Sequence, residues 1–233
     1  MKNMFKLFVM SALAALVGLS TLSCEGPVGA DGASGINSYL VTFNYNDGKT
    51  LPLATGVNHG GTVTVPTPTW AGFSFDGWYT DGSFHNVWAS AASVTQSTTL
   101  YAKWFPDALK GTWKTPPDTY PETYIISGTN YTGSGYTGTI DNIRLTDTNA
   151  GYITIRFTEF EGFPTHADIG RYYVVHFENL TETSVDISGA YLASDSDFNW
   201  PDRMGGKLTQ QAAEDTYTVA AGAFSSYSST QKQ

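Results

Sequence analysis

The chain has 233 residues, a formal net charge of −9 and only 14% charged residues. That acidity, with no basic run to offset it, excludes a nucleic-acid partner, because phosphate backbones would repel the surface. The length allows one large domain or two small ones, and the abundance of aromatic, Thr, Gly and Ser residues leans towards an all-β fold.

Residues 1–6, "MKNMFK", carry Lys2 and Lys6. Leu7 to Leu19 is an uncharged apolar run, followed by small residues and Cys24. This is the order of regions in a secretory signal peptide, which predicts a leader over 1–23. The run is shorter than the ~20 residues that span a bilayer. Cys24 is the single cysteine of the chain. An unpaired thiol makes no disulfide, so a structural role is a poor explanation for it. The segment resembles the lipobox of bacterial lipoproteins, in which the cysteine is acylated and becomes the first residue. Thr21 departs from the usual pattern, which has leucine at that place. The resemblance implies lipid attachment at Cys24 and anchorage to the cell envelope, at the outer membrane or the cell surface.

Gly26 to Gly35, "GPVGADGASG", repeats glycine every third residue. Three triplets cannot build a collagen helix. The stretch reads as a flexible, collagen-like tether, with Cys24 and the tether together covering 24–37.

Residues 38–105 form the next unit. "YLVTFNYNDG" alternates and turns at Asp47-Gly48, predicting a strand with Val41, Phe43 and Tyr45 on one face. "TVTV", Thr62 to Val65, predicts a second strand, stopped by Pro66 and Pro68. "GFSFDGWYTD" predicts a third, with Phe73, Phe75 and Trp78 in the core. "TTLYAKWF" predicts a fourth, with Leu100, Ala102 and Trp104 on one face. These blocks resemble the internalin B B-repeat, or Listeria–Bacteroides repeat, in order and spacing. Gly72 to Tyr79 and Leu100 to Trp104 carry the likeness most specifically. It implies a small β-grasp, ubiquitin-like module of bacterial surface proteins, used as a spacer or adhesive unit. Trp70, Trp78, Trp88 and Trp104 read as packing residues, because so small a unit needs large side chains to fill its core.

From 108 to 233 the pattern is strand after strand. Ile153, Ile155 and Phe157 share one face of "GYITIRFT". Tyr173, Val175 and Phe177 share one face of "RYYVVHFE". Val185, Ile187 and Tyr191 share one face of "TSVDISGAYL". An antiparallel meander or barrel-like domain is expected, mainly β, with one late helix over Lys207 to Val219. "LKGTWK", Leu109 to Lys114, resembles the first-strand Gly-x-Trp signature of lipocalin-like proteins. That resemblance implies a second role, a carrier whose barrel holds a small apolar ligand against Ile153, Ile155, Phe157, Val185 and Ile187.

Several motifs bear on chemistry. Gly133, Gly135 and Gly138 spell a dinucleotide fingerprint, but a strand-like stretch follows where a helix is required, so a Gly-rich hairpin is expected. Asp195, Asp197, Asn199 and Asp202 are oxygen-rich, yet Trp200 stands where a calcium loop needs Gly, and a solvated acidic loop is expected. His59, His85, His166 and His176 lack zinc-site spacing. Glu159 and Glu161 lie two apart and read as a polar strand edge rather than a glycosidase pair. No nucleophile elbow occurs. The reading is therefore no catalytic residues, no metal and no cofactor. The chain is expected to be a non-enzymatic surface lipoprotein for display, adhesion or interaction. Its expected partners are a membrane, through the lipid, and a host or cell-surface protein or glycan.

Overall fold

The structure is a computed structural model that describes residues 38–116, 121–196, 198–199 and 203–233. The expected leader, Cys24, the tether, Asp197 and Asp202 lie outside the described residues.

Strands β1 (Ser38–Asn44), β2 (Leu53–Asn58), β3 (Phe73–Tyr79) and β4 (Thr98–Pro106) form one mixed sheet in the order β2-β1-β4-β3. β1 and β4 run parallel, and the other pairs are antiparallel. This is the central parallel pair of a β-grasp sheet. Alternation places Val41 and Phe43 in the core while Leu40 faces solvent. The second strand is not where the Thr62–Val65 alternation put it. It lies earlier, at 53–58, where only Val57 is buried, so no apolar alternation marks it. Residues 62–65 carry no strand pairing, and Val63 plugs the core from this stretch. β3 slips register between Phe75 and Trp78, and Gly77 sits there at φ 110°. The bulge turns residues three apart onto one face, so Phe75 and Trp78 meet with ring centroids 5.6 Å apart. Trp78 and Trp104 are buried, and Trp70 and Trp88 are half-buried, so all four indoles pack. The Trp104 indole N–H donates to the Tyr45 carbonyl at 2.7 Å, and that of Trp78 to the Pro66 carbonyl at 2.8 Å.

A short 3-10 turn (Asp107–Leu109) leads into a closed antiparallel barrel. Its meander is β5 (Gly111–Lys114), β6 (Thr123–Ser127), β7 (Asn130–Gly133), β8 (Tyr136–Asp147), β9 (Ala150–Phe160), β10 (Tyr172–Glu178) and β11 (Ser184–Gly189). The chain then leaves the barrel through β12 (Phe198–Asn199), β13 (Arg203–Met204) and α1 (Gln210–Thr216). It returns as β14 (Ser228–Lys232), which pairs with β11 and β5 and closes the barrel. The helix is shorter than Lys207 to Val219. Thr209 caps it by accepting the Ala212 amide at 3.1 Å, and buried Tyr217 ends it in extended geometry. The three fingerprint glycines form the β7–β8 hairpin: Gly133 ends one strand, Gly135 turns at φ 86°, and Gly138 lies in the next. At Gly138 an added Cβ would stand 2.9 Å from the Arg156 carbonyl oxygen, so the close approach of β8 and β9 requires glycine there.

Ile153, Ile155, Phe157, Val185 and Ile187 are 0–1% exposed. A water-sized void against them would register as accessible surface, so these five side chains pack on one another and line no cavity. The carrier reading required them to line one. Tyr191, expected to share their face, is 47% exposed, because β11 ends at Gly189 and the chain turns out of the sheet. Tyr152, Thr154, Val174 and His176 lie on the other face of β9 and β10 and are also buried. The returning chain covers them: Phe224 packs on Tyr152 and His176, and Tyr227 bonds His176 at 2.9 Å.

The tyrosines at one end of the barrel give a test of this packing. Burial holds the Tyr131 and Tyr173 hydroxyls well above the ordinary phenol range, raises Tyr124 likewise, and pushes Tyr136 up to about 12. The native state therefore keeps protons that the unfolded chain releases near pH 10, so stability falls as pH rises above about 10. Titration followed at 295 nm should show these four ionising only together with cooperative unfolding. A smooth titration of all 14 tyrosines near pH 10 in a folded chain would contradict the packed barrel.

Candidate functional site

The most built polar cluster among the described residues lies where the four-stranded sheet meets the barrel. Three sources converge there: the loop after β3, the outer end of β8 with its neighbour β9, and α1. The loop is set by Asp81. Its carboxylate accepts the amides of Ser83 and His85 at 3.1 Å and of Asn86 at 2.8 Å. Partial burial works to raise the Asp81 pKa, but these backbone hydrogen bonds outweigh it and the carboxyl titrates below its ordinary range.

α1 presents Glu214 to the barrel wall, with its side chain 2% exposed. One carboxylate oxygen accepts Asn142 Nδ2 at 3.0 Å, Thr154 Oγ1 at 2.9 Å and Gln210 Nε2 at 3.0 Å. The other meets His85 Nε2 at 2.9 Å and lies 3.9 Å from an Arg144 guanidinium nitrogen. Asn142 Nδ2 also donates to the Ser83 carbonyl at 2.9 Å. A buried carboxylate is tolerable only with such partners, and here they come from both modules. Leu145 packs against both hydrophobic cores.

Beside this network is a cavity of about 300 Å³. Asn46, Gly82 and Phe84 bound it from the loops of the sheet module, Trp104 from β4, and Arg144 and Leu145 from β8. Asn46 and Phe84 are two of the three described non-glycine residues at positive φ, at 51° and 60°. Asn46 is held by donating from Nδ2 to the Ala102 carbonyl at 3.0 Å.

The residues singled out in the sequence do not converge. His59 packs near the Tyr39 ring, His166 stacks on Phe160 with centroids 3.7 Å apart, and His176 bonds Tyr227. Only His85 enters the cluster. Asp195 pairs with Lys207 at 2.7 Å and accepts the Tyr217 hydroxyl at 2.5 Å, which ties down the connection into α1. Glu159 and Glu161 are exposed beside a shallow hollow near Gly135 and Tyr136. Among the described residues no group of three or more His, Cys, Asp or Glu side chains is placed to hold a metal. No helix among them is long and apolar enough to cross a membrane. Glu214, Asn142 and Arg144 carried no signal in the sequence. They are 72 positions apart at their widest, and 129 separate His85 from Glu214.

Residues 39–103 match the family model of the Listeria–Bacteroides repeat domain, a repeat typical of bacterial surface proteins. The match covers the sheet module and stops before the barrel. No curated protein and no solved structure matches the chain.

Glu214→Ala should lower unfolding stability by roughly 3 kcal/mol, because it strands buried donors. His85→Ala, on a more exposed side chain, should cost less. The double variant should cost less than the sum of the two, which a denaturant-melt mutant cycle would read as coupling between the modules. Strict additivity would mean that the His85–Glu214 contact adds nothing.

Proposed function

We propose that this is a non-enzymatic, lipid-anchored protein of the bacterial cell surface. In this reading Cys24 carries the lipid, residues 25–37 act as the tether, and the repeat and barrel are displayed together as one unit for adhesion or interaction. The observation that carries it is the joining of a surface-protein repeat to a barrel whose interior is filled with side chains. A filled barrel leaves recognition to the outside of the molecule, where a displayed module would meet a host or cell-surface protein or a glycan. Net charge of −9 argues against nucleic acid as that partner. The repeat joined to it supports a surface location, and the apolar leader with Cys24 directly after it supports export and acylation.

Growth of expressing cells with a clickable fatty acid tests the anchor. Wild-type chain should be labelled, and Cys24→Ala should lose the label and leave the membrane fraction. Equal labelling of the two would remove the anchor from the reading. External protease should also degrade the protein on intact cells. Protection of the chain until the envelope is broken would place it inside instead.

A further inference from the structure

The junction cavity has the properties of a ligand site that neither the repeat nor the barrel would form alone. Its walls are of two kinds. Phe84, Trp104 and Leu145 supply apolar surface, and Arg144 supplies a half-buried cation at the edge. The Arg144 guanidinium makes no hydrogen bond among the described residues. Its contacts are the long 3.9 Å approach to Glu214 and the face of Tyr152, 5.0 Å from the ring centroid. Glu214 already accepts hydrogen bonds from Asn142, Thr154 and Gln210 and is paired with His85, so it does not draw on the donors of Arg144. A planar fork of N–H donors, 30% exposed, is thus held by stacking on an aromatic ring with no described protein acceptor taking its hydrogen bonds. Positive φ at Phe84, 60° on a bulky residue, adds a second sign. A bulky aromatic residue holds that conformation only when its surroundings impose it, and such strain gathers at ligand sites.

We infer that this cavity binds a small monocarboxylate with a flat or branched apolar body. The carboxylate would take the Arg144 fork, the strongest geometry for that pair. The apolar body would lie between Phe84, Trp104 and Leu145. A volume of about 300 Å³ is at the small end of ligand sites, which limits the guest to roughly one ring and a short chain. The nearby Glu214 carboxylate selects for a single negative charge, since a dianion such as a phosphate monoester would be repelled by it. The inference is independent of the membrane anchor, so loss of acylation at Cys24 would leave it standing.

The test is calorimetry and saturation-transfer NMR on the full chain with benzoate, phenylacetate and 3-phenylpropionate, each beside its uncharged amide, and with phenyl phosphate. At least one carboxylate should bind saturably below about 10 mM, and its amide about tenfold or more weakly. Arg144→Gln should weaken the carboxylate by a similar factor. Gly82→Phe should abolish binding by filling the cavity, without disturbing the fold. An added Cβ at Gly82 meets nothing within 4 Å, and the backbone there is not at positive φ. Both variants should melt with wild-type cooperativity, which separates a lost site from a lost fold. The inference is overturned if no carboxylate saturates, if the amide or phenyl phosphate binds as tightly, or if a folded Gly82→Phe or Arg144→Gln chain keeps wild-type affinity.

Discussion

The buried carboxylate of Glu214 is the constraint on which the arrangement of the modules depends. A charge removed from water is costly unless every lone pair finds a donor. Its donors lie on α1 itself, on two barrel strands and on a loop of the repeat, so the carboxylate is satisfied only when all three are in place. The short helix could not stand alone in water at seven residues. Its role is to deliver one acidic side chain to a point where sheet, barrel and loop meet. Asp81, which fixes the backbone of the loop, and Asn142, which bridges Ser83 to Glu214, extend the same network into the repeat.

The barrel is closed by the late strand β14, not by its hairpins. Seven strands follow one another as a meander, and the gap between β11 and β5 is filled only by β14 after a long connection. That connection covers the outer face of β9 and β10. Those strands are buried on both sides as a result, which is why Thr154 and His176 are inside although they alternate with core residues. Ile153, Ile155, Phe157, Val185 and Ile187 pack closed inside the barrel, and a cavity of about 300 Å³ lies between the modules. The cavity beside Arg144 is made by the joint itself.

Most strands were legible because one face is buried and the other wet. β1, β4 and β9 show this directly in Val41 and Phe43, in Leu100, Ala102 and Trp104, and in Ile153, Ile155 and Phe157. Where strand and pattern part, the cause is physical. β2 buries only Val57, so it has no alternation to read, while Thr62 to Val65 alternates without pairing to a strand. Tyr191 continued an alternating run past the end of its strand. The helix stops before Val219 because buried Tyr217 leaves helical geometry, which propensity alone does not show.

Local pattern decided the class of each segment: an uncharged apolar run ahead of Cys24, a glycine-rich run, a repeat with its aromatic signature, and a series of strands with one late helix. These follow from periodicity and turn chemistry, which act over a few residues. Tertiary structure decided which apolar faces touch, and so whether the barrel is hollow or filled. It also decided that His85 and Glu214 would meet across 129 positions, and that Arg144 would stand half-buried beside a cavity. Those outcomes depend on contacts between distant segments, and a one-dimensional pattern carries no record of them.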